Sequence, residues 1–252
     1  MFSPNGIQAI LFDLDGTLRH NRPTSTQVFL DLAVSLGLSD SPEKRRQAIR
    51  WTHYYWAQSP EMLADVERFR GEQELFWTNY AVLHLIAFDC PPEEAARLAP
   101  LIHASMKNLE QAEDWVPPDV PETLRQLQAA GFRLAVLSNR TNPCGEYLGE
   151  LGIKDFFDLA LVAGELACWK PEPAIFHQAL DRLGVAAGEA VYVGDNYYAD
   201  VLGAERAGLW PVLIDPDGLF PEADCPSIGT IGELPQVLKS ISLTAEKARA
   251  EG

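Results

Sequence analysis

The sequence predicts an α/β fold, a doubly wound and mainly parallel sheet with an all-helical domain inserted after the first strand. Three observations predict it. Short apolar runs recur at 7–12, 132–137, 159–162, 190–193 and 211–214, with the length and composition of strands buried on both faces. Helical patterns with clear punctuation lie between the later runs, which is the rhythm of a parallel sheet. From about His20 to Trp115 that rhythm stops, and helical patterns alone remain.

Taken in order, the run 7–12 is broken only by Gln8 and ends at Asp13-Leu14-Asp15-Gly16-Thr17. Two carboxylates at the end of a buried strand repel each other and call for a positive partner, commonly a metal ion. Gly16 permits a sharp turn beside them. The inserted interval shows helical patterns at 26–36, 42–58, 66–88 and 92–109, separated by Gly37 and Pro91-Pro92, and no strand. Ser41-Pro42-Glu43 reads as a helix cap, a first-turn proline and an acid near the N-terminus. Pro117-Pro118 marks the return to alternation. The expected division is therefore a sheet-forming core of 1–18 with 116–252 and a helical domain of 19–115, with hinges near 19–22 and 115–118. Beyond it, helix 120–130 stops at Gly131, helix 172–183 starts behind Pro171 and stops at Gly184, and helix 198–207 stops at Gly208. The polar, Ala-rich stretch 242–252 reads as a frayed helix end.

Composition narrows the class. With 252 residues, 47% of them apolar, the chain can bury a sizeable core. No apolar stretch approaches the ~20 residues of a membrane span, and residues 1–6 do not read as a secretory signal. A soluble, cytoplasmic protein is expected. The four cysteines, Cys90, Cys144, Cys168 and Cys225, form no CxxC pair, so free thiols are the default and a zinc site is disfavoured. A net charge of −16 repels nucleic acid and anionic membranes. An anionic substrate would need local positive charge.

Four separated sites share one property: each follows a strand or opens a helix. Asp13 and Asp15 follow the first strand, and Ser138-Asn139 follows 132–137. Lys170 precedes Pro171 and a helix, and Gly194-Asp195-Asn196 follows 190–193, with Asp200 further on. In an open α/β sheet the carboxyl ends of strands form the ligand crevice, so these positions can converge. Alone, Ser138-Asn139 reads as a strand-to-loop transition, Lys170 as a solvated lysine and Asp195 as a turn residue.

Together they resemble the haloacid dehalogenase superfamily, in particular its phosphatases with a helical cap inserted after the first motif, of the phosphoglycolate phosphatase kind. The resemblance covers about 7–18 and 117–215 and implies a Rossmann-like catalytic core. It implies Asp13 as the nucleophile and Asp15 as general acid, then base, with its pKa pushed up by neighbouring Asp13. It implies Ser138 and Asn139 at the phosphoryl oxygens and Lys170 as the cation on phosphate and Asp13. Mg²⁺ would be held by Asp13, Asp195 and the backbone carbonyl of Asp15, with Asp200 and Asn196 behind them. The implied partner is a small phosphorylated metabolite, met by a monomer or a homodimer.

Asp15 argues against a true dehalogenase, which needs neither a second acid nor Mg²⁺. A sugar-phosphate mutase shares the core residues, and a non-catalytic binding protein could reuse the fold; the mark of the latter would be lost motif residues, and none is lost. Substrate choice belongs to the insertion. There Trp51-Thr52-His53-Tyr54-Tyr55-Trp56 forms an aromatic cluster, and Lys44, Arg45, Arg46 and Arg50 read as a solvated face. His20 and Arg22, beside Asp15 in the hinge, are the candidate substrate contacts. Trp169, next to Lys170, either shapes the pocket or packs.

Overall fold

A computed structural model describes residues 6–108 and 113–241. The expected helix end at 242–252 and the last residue of the pattern 92–109 lie outside them. The chain divides into two compact units, Met1–His20 with Asp114–Gly252, and Asn21–Glu113.

The first unit is built on a six-stranded parallel sheet. Its strands are β1 (Ala9–Phe12), β4 (Arg133–Ser138), β5 (Leu159–Val162), β6 (Ala190–Gly194), β7 (Trp210–Ile214) and β8 (Ser227–Ile228), ordered β5-β4-β1-β6-β7-β8. Alternation along each strand feeds two separate cores. Ile10, Phe12, Leu134, Val136, Val191 and Val193 pack on one face against helix α6 (Asp119–Ala129), which contributes Val120, Leu124 and Leu127. Ala9, Leu11, Ala135, Leu137, Ala190 and Tyr192 pack on the other against α9 (Pro173–Leu183), through Ile175, Phe176, Ala179, Leu180 and Leu183. Both faces are covered, which explains why the strands read as unbroken apolar runs. Short helices α7 (Gly145–Glu150) and α8 (Ala163–Leu166) follow β4 and β5.

The second unit holds α1 (Ser25–Ser35), α2 (Pro42–Trp56), α3 (Pro60–Arg68), α4 (Gln73–Ala87) and α5 (Pro92–Asn108). Phe29, Leu30, Ala48, Leu85, Phe88, Leu98 and Ile102 form its core. Thr24 and Gln27 close a reciprocal cap at the start of α1, and the Ser41 hydroxyl accepts from the Lys44 amide at the start of α2.

Several expectations are corrected. The pattern 66–88 is not one helix: α3 and α4 are separated at 69–72, where Gly71 takes φ +82° and lets the chain turn. Ser59 starts α3 by accepting from the Met62 amide, with Pro60 in the first turn. The interval assigned no strand carries one at each edge, β2 (His20–Arg22) and β3 (Glu113–Trp115), which pair with each other. Three residues are too few to show a period of two. The expected helix 198–207 is a π-helical turn, Tyr197–Val201, running into α10 (Leu202–Arg206). None of the four cysteines is in a disulfide. Among the described residues no helix is long and apolar enough to cross a membrane.

Candidate active site

Three adjacent strands deliver the first residues at their carboxyl ends. β1 lies between β4 and β6, with Phe12 level with Val136 on one side and Val193 on the other. Strand order reverses at β1, which opens a crevice beyond its end. Asp13 follows β1, its amide still donating to the Val193 carbonyl at 2.9 Å. Asp195 follows β6, and buried Ser138 ends β4. Gly16, at φ +88°, brings the two loops together: a Cβ there would lie 2.6 Å from Cγ of Asp195. The Thr17 hydroxyl completes that contact, donating to Asp195 Oδ1 at 3.1 Å.

Lys170 is the hub. Its Nζ reaches Asp13 Oδ1 at 2.6 Å, Asp200 Oδ1 at 2.7 Å and the Tyr192 hydroxyl at 2.9 Å. Tyr192 in turn donates to the Leu137 carbonyl at 2.8 Å. The Lys170 backbone is fixed as well. Asn139 Nδ2 donates to its carbonyl at 2.9 Å, and Asn139 Oδ1 accepts from its amide at 2.8 Å. Behind the lysine, Asp200 Oδ2 accepts from the Asn196 amide at 2.9 Å. The Asn196 side chain accepts from the Tyr198 and Ala199 amides and starts the π-helical turn.

Charge is out of balance here. Asp13, Asp195 and Asp200 bring carboxylate oxygens within 4.8 Å of one another. Burial pushes Asp13 up to about 7 against the pull of Lys170, with Asp200 and Asp15 adding to the rise. Burial also raises Asp195 well above the carboxylate range, reinforced by Asp13 and Asp200. Burial alone would lower Lys170, but Asp13 and Asp200 outweigh it and keep the ammonium charged. Two buried acids on one ammonium, with half-buried Asp195 beside them, form a hard-oxygen set with surplus negative charge. That set fits a divalent cation such as Mg²⁺. Asp200 is already committed to Lys170 and Asn196, which leaves Asp13 and Asp195 as the side chains that would hold the ion.

Asp15 faces a different environment. Arg140 grips its carboxylate with two hydrogen bonds, Nε to Oδ2 at 2.6 Å and Nη2 to Oδ1 at 2.7 Å. Arg19 Nε lies 2.7 Å from Oδ1. Both guanidiniums sit over the Tyr147 ring, at 4.2 Å for Arg140 and 5.7 Å for Arg19. Burial would raise the Asp15 carboxyl, yet Arg140, with Arg19, holds it below its ordinary value. The expectation that Asp13 pushes the Asp15 pKa upward is therefore corrected. Two local cations outweigh the cost of burial.

The description "haloacid dehalogenase-like hydrolase" matches residues 7–208 of the sequence, most of its length. The chain belongs to the haloacid dehalogenase-like hydrolases. A glyceraldehyde 3-phosphate phosphatase of Methanothermobacter thermautotrophicus is 37% identical over 222 residues, 86% of this chain and 90% of that protein. A ribulose-1,5-bisphosphate 5-phosphatase of Halopiger xanaduensis is 32% identical over 212 residues, 82% and 84%. Among solved structures, a HAD phosphatase from Thermococcus onnurineus aligns with a TM-score of 0.53 at 28% identity, covering 92% of this chain and 98% of that one.

Within this haloacid dehalogenase-like frame, Asp13, Lys170, Asp195 and Asp200 converge as a cluster, with Ser138 at the end of the neighbouring strand. Asn139 spends its side-chain oxygen and one Nδ2 hydrogen on the Lys170 backbone, so it positions the lysine. His20 packs beside Trp115, ring centroids 5.7 Å apart, and Arg22 is exposed at the end of β2. Trp169 is half-buried against the α9-side core. Sequence reasoning missed Arg19, Arg140, Thr17 and Tyr192. Arg140 stands next to Asn139 and Arg19 four residues after Asp15, and that adjacency was the available signal. Tyr192 was readable only as a core residue.

Proposed function

We propose that the protein hydrolyses a small phosphate monoester with the help of Mg²⁺, through an aspartyl phosphate on Asp13. One observation carries the reading: a buried carboxylate, Asp13, touches the Lys170 ammonium at 2.6 Å while two further acids crowd the same point. A nucleophile, a cation for developing charge and a metal-type oxygen set thus meet at one strand end.

Each residue has a step. An Asp13 oxygen attacks phosphorus, and the bond from phosphorus to the ester oxygen breaks. Asp15 gives its proton to the departing alkoxide. Water then attacks the phosphorus of the acyl phosphate, Asp15 takes the proton, and phosphate leaves with Asp13 restored. The paired arginines hold Asp15 as a carboxylate, the form needed for the water step; to carry the leaving-group proton it must part from Arg140. Lys170 offsets charge on the phosphoryl group, and the Ser138 hydroxyl can donate to one of its oxygens. When bound, the metal supplies positive charge that favours ionised Asp13 and Asp195 and offsets charge on the phosphoryl group. Relatives named as a glyceraldehyde 3-phosphate phosphatase and a ribulose-1,5-bisphosphate 5-phosphatase support hydrolysis over transfer.

The test is phosphate release from a panel of phosphorylated sugars, hydroxy acids and amino acids. Release should require Mg²⁺, stop with EDTA and return when Mg²⁺ is restored. Halide release from 2-chloropropionate with no metal present would overturn the reading.

A further inference from the structure

The helical unit lines a half-open cavity of about 690 Å³ that the proposed chemistry does not use. Phe29, Trp56, Trp77 and Tyr80 give it aromatic walls beside His84, and Thr52 and Gln73 are among its polar lining residues. Its edge is charged but internally matched. Glu74 Oε1 accepts from Lys107 Nζ at 2.5 Å, and Oε2 lies 2.9 Å from His103 Nε2. Lys107 is thus already held by a carboxylate, which disfavours a phosphate in this cavity.

His84 is the anomaly. It is 1% exposed, and neither ring nitrogen has a hydrogen-bond partner. Phe29 stacks on its ring at 4.1 Å and 16°. Burial lowers its pKa to about 3, so the ring is neutral, with one N–H donor and one bare nitrogen acceptor. Buried polar groups are ordinarily paired. The cavity that His84 lines is where a partner can enter, because an imidazole turns broadly about its last torsion.

We propose that this cavity binds a small neutral aromatic molecule bearing a hydroxyl or ring N–H, of the phenol or indole class, with His84 accepting that hydrogen. Aromatic walls at tilted and edge-on angles to one another take the ring, the balanced edge excludes charge, and the volume lies in the range of small-molecule sites. The proposal uses none of the residues of the phosphate chemistry and stands whether or not that chemistry is confirmed.

Calorimetric titration of the full chain with p-cresol and with toluene tests it. Both should bind at one saturable site, p-cresol about tenfold tighter because it satisfies a buried acceptor that toluene leaves bare. His84→Phe should erase that ratio while keeping toluene binding. Thr26→Phe, at a partly exposed lining position, should weaken both probes, with thermal melts confirming the fold. Failure of both probes to saturate overturns the proposal, as does equal affinity for the two in the unmodified protein. The wild-type comparison decides even where a variant does not fold.

Discussion

Asn139 grips Lys170 through both ends of one amide, at 2.8 and 2.9 Å, so the position of the ammonium depends on a residue that does not touch it. Asn139→Ala should lower kcat about tenfold or more with a smaller change in KM, and cost on the order of 1–3 kcal/mol of stability. Steady-state kinetics and a urea titration check both. Asp13→Asn is the sharper case. Turnover should fall on the order of 10⁴-fold or more as the nucleophile disappears. The melting temperature should stay level or rise, because one of three crowded acids is removed while Lys170 keeps Asp200 at 2.7 Å. A folded variant that retains activity would remove Asp13 from the mechanism. These residues differ in how openly the sequence shows them. Asp13 and Asp15 stand out because two acids end an apolar run. Arg140 does not, because its partner Asp15 lies 125 positions away and only the fold joins them. That contact is also what reverses the direction expected for the Asp15 pKa.

At the scale of elements, legibility follows length and local chemistry. The sheet strands that feed the site were readable as apolar runs because both faces of each are buried. The paired three-residue strands at the edges of the insertion were not, since their residues are half-buried or exposed. The start of α3 had a signal in Ser59-Pro60-Glu61, the same cap grammar as Ser41-Pro42-Glu43, while the break between α3 and α4 had only Gly71, masked by the apolar periodicity running through it. Helix α4 also carries an acid-sensitive residue, His84. The folded His84 pKa, about 3, lies below its ordinary value of 6.5. Its contribution to stability is therefore present above 6.5 and is lost as pH falls toward 3, because only the unfolded chain readily takes the proton. The loss approaches about 1.4 kcal/mol per pH unit within that window. His84→Phe should flatten this part of the stability–pH curve, measured as urea midpoints between neutral and acid pH. An unchanged slope would mean that His84 is protonated in the folded state.

For the whole molecule, the strand order was the hidden quantity. The sequence places each functional residue after a strand, but only the order β4-β1-β6 makes Ser138, Asp13 and Asp195 the ends of neighbours. Charge is the property of the entire chain that bears most directly on turnover. A net charge of −16 surrounds a site proposed to take a phosphate ester, itself an anion. At short range the substrate meets Lys170, Arg19 and Arg140; at long range it meets repulsion. Screening acts more strongly on the second, because the Debye length falls from ~30 Å at ~0.01 M salt to ~10 Å at ~0.1 M, while buried contacts are little screened. Raising KCl across that interval at fixed Mg²⁺ should therefore increase kcat/KM, by about two- to threefold, through a lower KM and with kcat unchanged. A decrease in kcat/KM would show instead that the arginines flanking Asp15 steer the substrate from a distance. In that case Arg140→Gln should remove the salt dependence.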